Sequence, residues 1–360
     1  MKERMSRNYV PGMMRSYSAR KVLPARRTFR TSRDAKPCVE NVFLMLEQEG
    51  VRGCGESSPN RYFGESTEDV HLRLLGLADF LKRQRLESLA DIPRIWKQAE
   101  LILRPSRAAL CAVDLALWDL WGRMTHATAA QLAWKEPARP LITAVTLSLS
   151  TPEEVSARIS EVDGFPLVKV KMDSAADLAP LKKLHQAGAR LLVDANAAWT
   201  VAQTLRLLPQ LEALGVEAIE QPLPPALNGE MRVLRESSPL PLLADESCAI
   251  PEQVESMAGF FSGINIKLVK CGGITPALEM LEAARRNGLK VMVGCMLESS
   301  VLISAGLVMA QKADWADLDG SWLLSDDPFQ GLRFQDGLLF PSLKLGLGVE
   351  LKGFTELLEL

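Results

Sequence analysis

The sequence predicts a (β/α) barrel that follows a smaller α+β unit, and three observations carry that reading. Between Leu167 and Lys270, five short apolar runs each end in polar groups. These are Lys169-Val170-Lys171, Asp194 with Asn196, Glu220, Asp245-Glu246, and Lys267 with Lys270. A short apolar run bounded by polar residues suits a strand buried on both faces. The strand ends recur roughly every 25 residues, room for a strand, a helix and two loops, and barrel chemistry sits on that face. Finally, a chain of 360 residues exceeds one ordinary core, so two domains are expected.

Composition narrows the function classes. Hydrophobic residues make up 47% and charged residues 24%, as in soluble globular proteins. Lys and Arg number 42 against 44 Asp and Glu, so neither nucleic acid nor a membrane surface is an expected partner. No apolar run reaches the roughly 18 residues of a spanning helix, and no signal-peptide core follows the start. The six cysteines are scattered without a Cys-x-x-Cys pair, which predicts reduced thiols in a cytoplasmic protein. The three histidines, His71, His126 and His185, follow no barrel strand. That argues against zinc chemistry and a His-centred triad.

In chain order, residues 1–12 read as a frayed polar tail with a slight basic excess, a mitochondrial presequence being the lesser alternative. Residues 13–135 read as the α+β unit. Arg15–Leu23 is a predicted strand, and Arg26–Cys38, basic and without periodicity, a predicted loop. Asn41–Leu46 and Val51–Gly55 flank the turn signal Glu49-Gly50, predicting an antiparallel hairpin, and Glu56–Gly64 a second loop. Ser66-Thr67-Glu68-Asp69 caps a helix, and Asp91–Ile102 and Ser106–Met124 follow as helices.

Residues 136–325 read as the barrel. Leu141–Leu149 is its first predicted strand, and Thr151-Pro152-Glu153-Glu154 starts the next helix with Pro in the first turn. Helices are predicted over Ala176–Ala187, Ala202–Leu214, Gly229–Glu236, Pro251–Ala258, Pro276–Asn287 and Leu302–Ala313. Val291–Val293 is the seventh strand, and Trp315–Leu318 the eighth, leading into Asp317-Leu318-Asp319-Gly320. Residues 326–360, with apolar pieces between Leu332 and Leu345, are expected to pack back on the first domain.

Asp194, Glu220 and Asp245 would repel one another at a common barrel mouth unless a cation lay between them. All-oxygen ligands favour a hard ion, Mg2+ or Mn2+. Asn196 either supports that site or caps the next helix. Lys169 and Lys171 lie two apart and point to one side of the second strand. A neighbouring ammonium and a divalent cation would depress a lysine's pKa and make a usable base. Lys267 ends the sixth strand, opposite the second, so Lys171 and Lys267 would face a substrate from two sides. That arrangement suits proton removal from one face of a carbon and its return on the other, through a metal-stabilised enediolate. Lys270 reads equally as a solvated loop lysine or a member of the site.

Val168-Lys-Val-Lys171, Val193-Asp-Ala-Asn196, Ile219-Glu-Gln-Pro222, Ala244-Asp-Glu-Ser247 and the stretch Asn265 to Gly273 together resemble the enolase superfamily, muconate-lactonizing subgroup. Within it, Asp245-Glu-Ser-Cys248, Gly294-Cys-Met-Leu-Glu298 and Asp317-Leu-Asp319-Gly320 look like the dipeptide epimerases of the L-Ala-D/L-Glu epimerase type. The resemblance implies a (β/α)7β barrel with an N-terminal α+β capping domain that includes Gly53-Cys-Gly-Glu56 and Asp114–Trp118. It implies Lys171 and Lys267 as acid and base, and Asp194, Glu220 and Asp245 as ligands of one Mg2+ per subunit. Asp317 and Asp319 would bind a dipeptide's ammonium group, as paired carboxylates suit a free amino terminus. Lys169, Leu297, Thr146 and Arg33 are expected at the substrate, with Asn196, Glu246 and Lys270 around the site. Arg33 falls in the first of two capping loops, Thr28–Pro37 and Ser57–Gly64, expected to read side chains.

The implied activity is epimerisation of a dipeptide by 1,1-proton transfer at the α-carbon of its C-terminal residue. A muconate-type cycloisomerase, an o-succinylbenzoate synthase and an N-acylamino acid racemase are the alternatives within the site. Their substrates lack the ammonium that Asp317 and Asp319 would bind. A non-catalytic binding protein on the same scaffold would not need its lysines and carboxylates intact. The expected partner is a small dipeptide, with a homo-oligomer left open.

Overall fold

The structure, a computed structural model, describes residues 13–30, 35–148, 152–352 and 358–359. The expected tail, residues 1–12, and Thr151 of the expected cap lie outside the described residues. The N-terminal unit is built on antiparallel strands β1 (Arg15–Arg30), β2 (Ala35–Gln48) and β3 (Val51–Ser57). Pairs such as Ser16↔Leu46 and Leu44↔Gly55 set the register.

Arg26–Cys38, expected as a loop, is mostly strand: Pro24 pairs with Cys38, Phe29 with Lys36 and Arg30 with Ala35. The register shifts between Pro24 and Phe29, and such an irregularity scrambles the period-two pattern. The strand is also fastened to the far end of the chain, where Arg26 N–H donates to Leu323 O at 2.8 Å and Ser325 N–H to Pro24 O at 2.9 Å.

Helices α1 (Thr67–Gly76), α2 (Ala78–Lys82), α3 (Asp91–Leu103), α4 (Arg107–Met124) and α5 (Ala129–Trp134) complete the unit. Ser66 caps α1 through the Asp69 N–H at 3.1 Å. Helix α4 lies directly on β3. A Cβ at Gly53 would fall 2.2 Å from Leu120 N, and one at Gly55 would fall 1.9 Å from Ala112 O, so only glycine permits this approach.

Strand β4 (Leu141–Ile142) precedes the barrel strands β5 (Val145–Leu147), β6 (Leu167–Lys171), β7 (Arg190–Asp194), β8 (Val216–Glu220), β9 (Leu242–Ala244), β10 (Gly263–Lys267), β11 (Lys290–Gly294) and β12 (Trp315–Asp317). The single strand expected over Leu141–Leu149 is therefore two pieces. β4 pairs with the C-terminal strand Leu338–Phe340, and only β5 enters the barrel. Thr143 separates them; its hydroxyl accepts the Leu318 N–H at 2.7 Å.

The barrel strands run parallel in the order β5 to β12, and Ala144 N–H reaches Ala316 O at 2.8 Å across the remaining seam. Between them run α6 (Pro152–Glu161), α7 (Ala179–Gln186), α8 (Val201–Ala213), α9 (Met231–Ser237), α10 (Val254–Met257), α11 (Leu268–Cys271), α12 (Ile274–Arg286) and α13 (Ser300–Ala310). This is the (β/α)7β barrel that the sequence predicts. The short α11 was not foreseen.

Strand β10 shows how the pleat sorts its residues. Ile264 and Ile266 face the helices, whereas Asn265 and Lys267 alternate with them toward the barrel interior. An apolar layer of Leu167, Leu192, Leu243, Met292 and Trp315 fills the interior. The segment after β12 touches both units. Leu347 N–H donates to Asp119 of α4 at 2.8 Å, Phe329 packs on Phe43, and Leu338–Phe340 pairs with β4.

Candidate active site

Lys169, Lys171, Asp245, Glu246 and Lys267 line a cavity of about 380 Å3, walled on one side by barrel loops and on the other by Phe29, Val39 and Asn60–Phe63 of the N-terminal unit, and Asp194, Glu220 and Lys270 are bonded to these lining residues. Lys171, on β6, donates to Asp194 Oδ2 at 2.7 Å and to Asn196 Oδ1 at 3.1 Å, and its Nζ lies 5.7 Å from the centre of the Phe29 ring. Across the barrel, Lys267 donates to Asp245 Oδ2 at 2.9 Å. Lys169 sits deeper, bonded to Asp317 and at 3.2 Å to Glu220 Oε2.

Asp194, Glu220 and Asp245 are all buried, at 0%, 1% and 3% exposure. Their charges are held differently. Burial pushes Asp194 up, but Lys171 and Lys169 outweigh it and bring it down to about 2. Lys267 and Lys270 likewise overcome burial at Asp245 and hold it well below the usual carboxylate range. Glu220 goes the other way, to about 7, through burial and then the charge of Asp194, with Asp245 adding to it. Lys267 is held by its neighbours in the opposite sense to its burial. Burial pulls its ammonium down, but Asp245 and Glu220 raise it above the usual lysine range. The reason is that here the carboxylates face the lysines directly.

Among the described residues, no three His, Cys, Asp or Glu side chains are gathered closely enough to hold a metal ion. The donor chemistry nevertheless fits one. The set is all oxygen, buried and mutually repelling at Glu220, a surplus of charge that a hard divalent cation relieves.

Lys270 is not a solvated loop residue. It is buried at the start of the β10–α12 connection, and its ammonium donates to Asp245 Oδ1 and Asp245 O, both at 2.6 Å, and to Cys248 O at 3.2 Å. Asn196 has a left-handed φ of 45°, and its N–H donates to Asp194 Oδ1 at 2.9 Å. Glu246 and Leu297 line the cavity, as do Asp317 and Asp319. Asp319 Oδ2 accepts the Thr146 N–H at 2.6 Å, while Asp317 Oδ1 is buried without a partner. Burial and the neighbouring Asp317 raise Asp319 to about 6. Arg33 lies outside the described residues.

Two members of this neighbourhood escaped the sequence reading. Asn265, at 0% exposure, donates through Nδ2 to Glu220 Oε1 at 2.7 Å. It stands two residues before Lys267, so strand alternation already aims it at the interior. Phe29 belongs to the stretch taken for a loop, and only the strand pairing brings it under Lys171.

Residues 153–354 match the family described as Enolase C-terminal domain-like. Residues 14–133 match the Mandelate racemase / muconate lactonizing enzyme, N-terminal domain. A Maribacter protein named L-Ala-D/L-amino acid epimerase is 35% identical over 332 residues, 91% of this chain and 97% of that protein. A Bacteroides thetaiotaomicron L-Ala-D/L-Glu epimerase is 34% identical over 333 residues, 91% of this chain and 85% of its own. The solved dipeptide epimerase from Methylococcus capsulatus, complexed with Mg and the dipeptide L-Arg-D-Lys, superposes with a TM-score of 0.86 at 29% identity, covering 94% of this chain and 99% of that one. With both units matched and the strand-end residues in this order, the chain belongs to the mandelate racemase / muconate lactonizing enzyme family of the enolase superfamily.

Proposed function

We propose that this chain is a Mg2+-dependent dipeptide epimerase, acting at the α-carbon of the C-terminal residue. The observation that carries this reading is the pair Asp317 and Asp319. Two buried carboxylates open into the cavity, one with an oxygen that no donor reaches. A substrate ammonium is the group such an oxygen lacks, and dipeptides carry one where N-acylated amino acids do not. The relatives named as epimerases of L-Ala dipeptides agree with it.

Asp194, Glu220 and Asp245 would hold the cation, which supplies positive charge to the substrate carboxylate when bound. Lys171, as the neutral amine, takes the α-proton from one face: the C–H bond breaks, its electron pair passes into the substrate carboxylate to give an enediolate, and an N–H bond forms. The ammonium of Lys267 returns a proton to the opposite face of the enediolate, which inverts the centre. Lys169 offers its N–H groups to the substrate carboxylate, and Lys270 and Asn196 keep Asp245 and Asp194 in place. Leu297 and Thr146 bound the substrate.

Among the described residues no cysteine is in a disulfide, which supports a reducing, cytoplasmic setting. No described helix is long and apolar enough to cross a membrane.

The test is incubation of a library of L,L-dipeptides in D2O with Mg2+. Deuterium should appear at the C-terminal α-carbon, read as a mass increase of one unit. Exchange of an N-acyl amino acid and of no dipeptide would transfer the site to a racemase of acylated amino acids.

A further inference from the structure

The loop after β11 carries Leu297 to the cavity wall, yet its main chain is tied to the N-terminal unit. The Leu297 carbonyl accepts Asn41 Nδ2 of β2 and Ser58 Oγ beyond β3, both at 3.2 Å. Glu56, at 0% exposure, takes up the rest of that loop. Its carboxylate accepts Asn41 Nδ2 at 2.7 Å, Ser299 N–H at 2.9 Å, Ser299 Oγ at 2.7 Å and Leu302 N–H at 3.2 Å.

The Leu302 N–H lies in the first turn of α13 and Ser299 is its N-cap, so Glu56 also sits where a helix N-terminus favours an anion. Four donors converge on one carboxylate and pull against its burial, which still leaves it raised to about 7. The bond partners lie 239 to 246 residues apart for Ser58 and Glu56, and 256 for Asn41. Two of these bonds end on the carbonyl of Leu297, a residue that lines the substrate cavity. The strand that carries Glu56 also leads into Asn60–Phe63, the opposite lip of that cavity.

We propose that Glu56, together with Asn41, is a positioning residue for substrate side-chain selection. It fixes the Leu297 segment against the N-terminal lip, so both walls that read the substrate move as one. The proposal rests on the dipeptide reading for the identity of the group selected. It is independent of that reading for the clamp itself.

The variants are Glu56→Gln and Asn41→Ala. A glutamine must turn an N–H toward two of the four donors, and the alanine removes one Leu297 tie together with one of the four donors to Glu56. Two readouts apply to both. Deuterium uptake of residues 295–302, followed by mass spectrometry, should rise about tenfold in rate. The ratio of kcat/KM for a dipeptide ending in Leu to one ending in Ala should shift roughly tenfold, a change typical of a reshaped apolar pocket. The shifts from Glu56→Gln and Leu297→Ala should not add in the double variant, because both changes act on one contact.

Unchanged uptake over 295–302 overturns the clamp. A uniform fall in kcat/KM for both dipeptides, with the ratio intact, overturns the role in selection and leaves a merely structural tie. If the wild type turns over no dipeptide, the functional reading falls, and the uptake measurement alone decides the clamp. Should Glu56→Gln fail to fold, Asn41→Ala gives the same decision.

Discussion

Lys171 and Lys267 keep different company although each stands at a strand end. Lys171 has Asp194, Asn196 and an aromatic ring about it; Lys267 has Asp245 and, at 3.8 Å, Glu220. Lys171 is therefore oriented by a carboxylate of the following strand, β7, and Lys267 by one at the end of the preceding strand, β9. Lys171→Ala should cut α-proton exchange by at least about 10²-fold, the contribution of one general acid–base group. Its circular dichroism should match the wild type. Undiminished exchange would remove the two-lysine mechanism. Both lysines were legible as charges after apolar runs. What could not be read there is the sign of the pKa change at Lys267, which depends on which carboxylates lie within reach and not on strand position.

At the scale of elements, β10 and β11 show how tightly the interior is set. Lys267 pairs with Gly294, and a Cβ on Gly294 would fall 2.7 Å from Asn265 Oδ1 and 2.8 Å from Nδ2. Gly294→Ala should push that amide off Glu220, whose Oε1 it now holds at 2.7 Å. Mg2+ affinity, measured by titration calorimetry, should fall by roughly 10-fold, as for loss of a supporting contact to a metal ligand. Equal affinity would mean that Asn265 does not orient Glu220. The elements themselves were largely legible, because β6 to β10 are apolar runs of near-uniform spacing. The outer part of the hairpin of β1 and β2, beyond Leu23 and before Asn41, was not. Its register shift hides the alternation, and its far end is stabilised by backbone bonds to Leu323 and Pro24's partner Ser325, nearly the whole chain away.

The whole molecule depends on the seam between its two units. Asp114 of α4 is buried there and accepts the Thr275 hydroxyl at 2.5 Å and the Thr275 N–H of α12 at 3.0 Å. Burial raises its carboxyl from the usual 3.8 to about 7. The folded chain thus keeps a proton that the unfolded chain releases near 3.8, so this group's contribution to stability falls as pH rises from about 4 to about 7 and is level above that. Asp114→Asn removes the titration and can still bond Thr275. Urea midpoints taken at about pH 4.5 and about pH 8 should therefore fall less with pH in the variant than in the wild type. Equal falls would show that Asp114 does not titrate across this range.

The sequence by itself determined the strand–helix period, the ends at which charges gather, and the residue types that suit a hard cation and proton transfer. These are local properties: pleat, helix period and spacing act within about 25 residues. Only the tertiary structure decided which ammonium meets which carboxylate, that Lys270 is buried on Asp245, and that Glu56 grips the Leu297 loop. Those contacts join residues brought together by barrel closure and by docking of one unit on the other. No local pattern encodes the distance between such groups.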